Sequence, residues 1–233
     1  MSTRLDVAGA SDKRGWDYTV LRDRVTVERL YSYLASTGFE LERAFELYEW
    51  NMRASAGVLT TTAMVEVVIR NAMDEQLTRW AERCRPGQSW FDVAPLDTRG
   101  RSDVSIARGR ATRRGQFREA HGKVIAELPL GFWRYLVTWR YHTSLWVPAL
   151  AAAFPRGAKD LRRRLDATEH HLQRLMFVRN RAAHHEPIHG RDLARDLAAA
   201  VELVDWVCPH ASAWVAARSP LGQLIRERPD RKP

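Results

Sequence analysis

The sequence predicts an all-α fold. Apolar residues recur at spacings of three and four through long windows, strand patterns are scarce, and the punctuating residues Gly38, Pro86, Gly87 and Pro187 fall between helical windows rather than inside them. Residues 1–24 (MSTRLDVAGASDKRGWDYTV and the four that follow) form an N-terminal extension without an assigned helix. Two short helices follow over 26–37 and 39–54, hinged at Gly38. A longer helix over 60–84 places Val65, Val68, Ile69, Ala72, Met73, Leu77 and Trp80 on one face, and Pro86 with Gly87 stops it.

Residues 86–123 are a basic, glycine-containing connection. From Arg99 to Arg118 there are seven arginines, against Asp103 and Glu119 in the same arc. Ser102 and Asp103 are placed to cap a short basic helix running to Arg114. The segment 125–154 carries Trp133, Trp139 and Trp146, and aromatics so spaced read as core. Helices over 158–183 and 191–217 close the domain, the second with Leu193, Leu197, Val201, Val204 and Cys208 in one stripe. The expected organisation is a single helical domain over 25–217, followed by a charged tail over 218–233.

Composition narrows the function classes. The chain has 233 residues, with 37 Lys+Arg against 28 Asp+Glu and a net charge of +9. Almost all of the basic side is arginine, since the lysines are Lys13, Lys123, Lys159 and Lys232. Arginine offers a planar fork of donors that matches phosphate oxygens, so the balance points to a polyanion such as nucleic acid. The longest nearly uninterrupted apolar run, 145–154, holds Pro148 and is about ten residues, short of the ~20 that a membrane span needs. The first twenty residues lack the apolar centre of a secretory signal. Two cysteines, Cys84 and Cys208, do not make a disulfide framework. A reduced, cytoplasmic protein without a membrane segment is expected.

One position breaks the helical pattern. In the 158–183 helix, Leu165, Leu172, Leu175 and Met176 make an apolar stripe, and a step of seven from Leu172 reaches Arg179. A guanidinium in a core-facing register is costly unless it is paired, lines a cleft or meets an interface. The residues around it are Val178, Arg179, Asn180, Arg181, Ala182, Ala183, His184, His185, Glu186 and Pro187. Pro187 disfavours helical geometry at Glu186, which ends the helix near His184 or His185. On a straight helix Arg179 and His184 stand ~140° apart, so ending the helix between them allows both to reach one pocket. A fixed cation beside a histidine, whose ring titrates near neutral pH, is the minimum apparatus for moving a proton at a phosphodiester.

Arg179-Asn180-x-x-x-His184 resembles the Arg, four to six residues, His motif of the HEPN superfamily of helical-bundle ribonucleases. The wider context is similar to the Abi (abortive infection) branch, through AFELYEWNMRAS (44–55), MVEVVIRNAMDEQL (64–77), AELPLGFWRYL (126–136) and VRNRAAHHEP (178–187), in the family's order and spanning roughly 27–210. The resemblance implies a HEPN-like up-and-down helical bundle with additional N-terminal helices, acting as a homodimer whose two motifs face each other. It implies RNA cleavage without metal or cofactor, in which the 2′-hydroxyl attacks its own phosphate. Arg179 would hold the phosphate, His184 would shuttle the proton, Asn180 would bind the phosphate or fix the arginine, and His185 would be an accessory. Glu66, Arg70 and Asn71 match the family's polar set on an early core helix and would brace the site, although Glu66, Arg70 and Asp74 also read as a surface charge ladder. The biological setting implied is a growth-arresting effector of bacterial anti-phage defence, with an antitoxin or regulatory partner. Arg108, Arg110, Arg113 and Arg114 are the expected RNA-holding residues.

Two other readings compete. His185-Glu186-Pro187-Ile188-His189 spells the zinc peptidase signature, but that chemistry needs both histidines one helical turn apart, and Pro187 sits inside the required helix. A non-catalytic dimeric RNA-binding or regulatory module would use the same bundle and the same basic surface.

Overall fold

The computed structural model describes residues 15–229. The chain is an all-helical bundle, and no strand occurs among the described residues. It divides into two compact units: residues up to 60 with 178–194 and those from 219 on, and residues 61–177 with 195–218.

In the first unit, helix α1 (Tyr18–Val25) begins where Asp17 accepts hydrogen bonds from the backbone N–H groups of Thr19 and Val20. Regular structure therefore starts inside the stretch expected to be an unassigned extension; the remainder of that stretch, 1–14, lies outside the described residues. Helix α2 (Val27–Ser36) follows. Gly38 and Phe39 both adopt the left-handed conformation, and the Phe39 N–H closes on the Leu34 carbonyl at 2.7 Å, so the expected hinge is a helix-terminating turn.

Helix α3 (Leu41–Cys84) is continuous over 44 residues, where two helices were expected. The expected break over 55–59 fails because Gly57 serves packing. A Cβ there would lie 2.8 Å from Leu224 Cδ1, so the bare backbone leaves room for that side chain of helix α11 (Leu221–Arg226). That helix also corrects the reading of 218–233 as a tail: Trp50 Nε1 donates to the Leu224 carbonyl at 2.7 Å, and Arg228 lies over the Trp50 ring. Residues 230–233 lie outside the described residues. Leu30, Leu34, Ala44, Leu47, Trp50, Ala54 and Val58 are buried, the alignment that an amphipathic pair of helices requires.

The second unit is built on the C-terminal part of α3, with Val65, Ile69, Met73, Leu77 and Ala81 in its core. By length and composition α3 could cross a membrane, having an 18-residue window of mean hydropathy 1.3. Its apolar residues here include those five core positions, as in the central helix of a bundle. Helix α4 (Trp90–Val93) leads to α5 (Thr98–Ala111), whose N-cap is Asp97 rather than Ser102. Asp97 accepts from the Gly100 N–H at 2.9 Å and the Tyr135 hydroxyl at 2.7 Å, bonds that hold its carboxyl below the usual carboxylate range.

Helices α6 (His121–Glu127) and α7 (Leu130–Leu136) and three short turns of 3₁₀ and π geometry make up the Trp-rich segment. Trp133 and Trp146 are fully buried as expected; Trp139 is 47% exposed, stacked on His142 and hydrogen-bonded to Asp166. Helix α8 is Leu161–Ala183, α9 is Leu193–Val207 and α10 is Pro209–Arg218. The expected single helix over 191–217 is broken at Cys208, because Pro209 disfavours helical geometry in the residue before it and suits the first position of a new helix. On α9 the buried set includes Asp196, which receives Arg174 Nε at 2.6 Å and was not legible as a core position.

Two histidines of this unit respond to pH in opposite senses. His121 Nε2 lies 2.8 Å from Asp74 Oδ1, and that hydrogen bond raises its pKa above the ordinary 6.5. The stabilisation is fully present below 6.5 and is lost as pH rises through the higher folded value. His171 is held below 6.5, chiefly by burial beside Trp206, so its contribution is present above 6.5 and lost as pH falls through the lower folded value. Replacing His121 with Ala is expected to lower the unfolding temperature more at pH 6 than at pH 8.5, measured by thermal scans in matched buffers. An equal loss at both values would refute the linkage.

Candidate functional site

The end of α8 is a turn of defined hydrogen bonding. The Glu186 N–H reaches the Arg181 carbonyl at 2.8 Å and the His185 N–H reaches Ala182 at 3.2 Å, the two bonds of a Schellman motif. The left-handed position that glycine usually fills is His185, at φ +57°. Where an apolar contact normally closes such a turn, Arg181 Nε and Glu186 Oε2 pair at 3.5 Å, and Arg181 also donates to the Pro187 carbonyl. Arg29 of α2 donates to the His185 carbonyl, and Asn51 of α3, buried, accepts the Ile188 N–H at 2.8 Å. His189 is buried against Tyr33, their ring centres 4.7 Å apart, with Ser32 Oγ at 3.3 Å. Burial of Tyr33 pushes its hydroxyl up to about 12. The segment 185–189 is thus pinned to α2 and α3 through main-chain groups at 185 and 188 and through the side chain of His189.

Glycine accepts the left-handed region without steric cost, and an L-residue pays about 1–2 kcal/mol there. His185→Gly is therefore expected to retain or raise the unfolding temperature, while His185→Val lowers it. The reverse order in thermal denaturation would contradict the observed turn.

Arg179, Asn180 and His184 are all exposed around this turn. Arg179 Nη1 donates to Asn180 Oδ1 at 3.2 Å, and the His184 N–H bonds to the Asn180 carbonyl at 3.0 Å. The expectation that Arg179 occupies a core-facing register is corrected. The buried stripe of α8 runs through Leu165, Thr168, Leu172, Leu175, Val178 and Ala182, so after Leu175 it takes the step of three to Val178 and leaves Arg179 outside. Asn180 and His184 share one exposed line of the helix and Arg179 is ~100° to its side. The helix does end between Arg179 and His184, as Pro187 dictates.

Glu66 and Arg70 are half-buried and Asn71 is exposed; Arg70 Nε donates to Asn71 Oδ1 at 3.4 Å. Asp74 is not the next rung of a ladder with Arg70, because its Oδ1 accepts from Trp90 Nε1 at 2.7 Å and contacts His121. Arg108 is engaged on all sides, bidentate to Asp92, paired with Glu119 and stacked over Phe91. Arg110, Arg113 and Arg114 are exposed at the end of α5, with Arg113 over the Phe117 ring. His185 and His189 lie beyond the end of α8, which removes the one-turn spacing that a zinc peptidase needs. Among the described residues no group of three or more His, Cys, Asp and Glu side chains is arranged to hold a metal ion.

Sequence reasoning missed Arg29 and Asn51, which hold the turn. A signal existed for Asn51: it interrupts the apolar stripe of α3 between Leu47 and Ala54, the same kind of break that singled out Arg179. Comparison with models of protein families, with curated proteins and with solved structures finds no match.

Proposed function

We propose that the protein is a metal-independent endoribonuclease of HEPN type, in which Arg179 and His184 of two copies form a composite site and the 2′-hydroxyl attacks the adjacent phosphate. The observation that carries this reading is the exposed set on one turn: a guanidinium oriented by Asn180, and an imidazole one residue past the end of α8. His184 takes the proton from the 2′-hydroxyl, or gives one to the leaving 5′-oxygen; Arg179 neutralises charge gathering on the phosphate. The exposure of all three side chains supports a dimer, since one copy leaves a bound phosphate open to water on one side, and a second copy would close it. The setting we propose is growth arrest in anti-phage defence, with activity restrained by a partner until triggered. The test is cleavage of varied RNAs in EDTA by the wild type, Arg179→Ala and His184→Ala, together with sedimentation. Binding without cleavage by the wild type would replace this reading with the non-catalytic RNA module, and cleavage surviving both substitutions would remove the site.

The arginines at the end of α5 supply holding rather than chemistry. Replacing Arg110, Arg113 and Arg114 together by Gln is expected to reduce the slope of log affinity against log salt by about 2 for single-stranded RNA, with the rate of bound RNA cleavage unchanged. Arg108→Gln should instead lower thermal stability, because it leaves Asp92 and Glu119 without their shared partner.

A further inference from the structure

Beside the α8 turn, within the first unit, lies a groove of about 300 Å³, at the small end of the range for organic-ligand sites. Its lining comes from three places. One face of α3 contributes Tyr48, Asn51, Met52, Ser55, Ala56 and Leu59; α2 contributes Arg29; the end of α8 contributes Ala182 and His185. The spacing of the α3 residues, at steps of three and four from 48 to 59, is that of a single helical stripe.

Its chemistry is divided. Met52, Ala56, Leu59 and Ala182 are apolar, and Met52 and Leu59 remain exposed although they flank a concavity. Against them stands Ser55, only 8% exposed, whose buried Oγ has no hydrogen-bond partner. A buried hydroxyl in that condition carries a desolvation cost that a ligand edge would relieve. Asn51 gives its carbonyl oxygen to Ile188, which leaves the NH₂ group as its remaining donor. Arg29 and His185 add a guanidinium and an imidazole, both planar groups on which unpaired bases stack.

We infer that this groove is a subsite for one unpaired nucleobase of the RNA, with Ser55 and Asn51 meeting the base edge and the apolar side chains its faces. The inference rests on the reading of the protein as acting on RNA. A base is flat, apolar on its faces and hydrogen-bonding on its edge, which is the combination that the groove offers. An aliphatic anchor from a protein partner would fill the apolar half and leave the Ser55 hydroxyl as it is. Because His185 follows His184 directly, a base held there has its sugar and phosphate beside the exposed end of α8. The groove would thereby set which nucleotide is presented to Arg179 and His184, making Ser55 and Asn51 specificity residues rather than catalytic ones.

The experiment is titration of the full chain with each of the four ribonucleoside 5′-monophosphates, and with ribose 5-phosphate as the phosphate-only control, by calorimetry or protein-observed NMR. The expected result is that at least one nucleotide binds tenfold or more tightly than ribose 5-phosphate. Ser55→Ala weakens it at least fivefold at an unfolding temperature equal to or above that of the wild type, and Ala56→Leu, which narrows the groove, abolishes it. Equal binding of ribose 5-phosphate overturns the inference, as does wild-type affinity in both groove variants. A change in sedimentation of Ala56→Leu with nucleotide affinity unaltered also overturns it, by making the groove a protein contact. Cleavage by the wild type with nucleotide affinity unmoved in the groove variants would leave the ribonuclease standing and this subsite refuted. Nucleotide binding lost in those variants, without cleavage by any form, would do the reverse.

Discussion

Arg179→Ala and His184→Ala are each expected to lower RNA cleavage in EDTA at least 100-fold while leaving the unfolding temperature within a degree or two of the wild type. The size follows from the roles. A general acid or base is worth about 10²–10⁴ in rate, and a charge-stabilising donor about 10²–10³. The small stability change follows from placement: both side chains are exposed, and the turn beyond α8 is closed by main-chain bonds that neither substitution touches. If the two groups act in one step, the double variant should lose little more than the worse single variant, because removal of either member already disables the unit. Fully additive losses would mean that they serve independent steps. Single-turnover rates with excess protein separate these cases from a change in RNA affinity.

Trp146→Ala is expected to cost about 3–5 kcal/mol of stability in denaturant titration, among the largest single losses in the second unit. The ring is fully buried, stacks on Phe154 with centres 6.0 Å apart, and its Nε1 donates to the Leu161 carbonyl at 2.9 Å. Trp133 provides an internal control. It is equally buried, but its Nε1 has no hydrogen-bond partner. Substitution by Phe removes similar ring volume from both sites. At Trp146 it also removes a hydrogen bond, whereas at Trp133 it removes an unsatisfied buried donor, so Trp133→Phe should be the milder change by about 1 kcal/mol or more. Equal costs would show that ring volume alone sets the energetics.

The helical class, the end of α8 a few residues before Pro187 and the burial of Trp133 and Trp146 were readable from periodicity and proline chemistry, because those signals are local. What could not be read depended on partners distant in sequence. Gly57 looks like a helix breaker until the Leu224 side chain, more than 160 positions on, is seen to occupy the space. Asp97 displaces Ser102 as a cap because Tyr135 and Tyr141 supply it with hydrogen-bonding neighbours. Arg179 shows the limit of counting by sevens: a step of seven lags a 3.6-residue period by ~20°, and at the edge of a stripe that suffices to exchange Val178 for Arg179 as the buried residue. The register that singles out Arg179 is thus one the packing does not follow, whereas its place in the last turns of a helix follows from Pro187. Arg29 gave no comparable local signal, since its contact with the His185 carbonyl exists only where α2 and the α8 turn meet within one unit.

The turn after α8 separates support from display. Arg29 holds a carbonyl and Asn51 holds an N–H, and the bonds that close the helix run between backbone groups. Nothing in that support reads the identity of the side chains at 179, 180 and 184. The last turn of α8 and the loop after it are therefore a mount on which other triplets of polar residues could be set without rebuilding the rest of the bundle. A helical protein of this design could change its chemistry by three substitutions, and an engineer seeking a small all-α scaffold for a grafted acid-base pair would find the backbone already held in place.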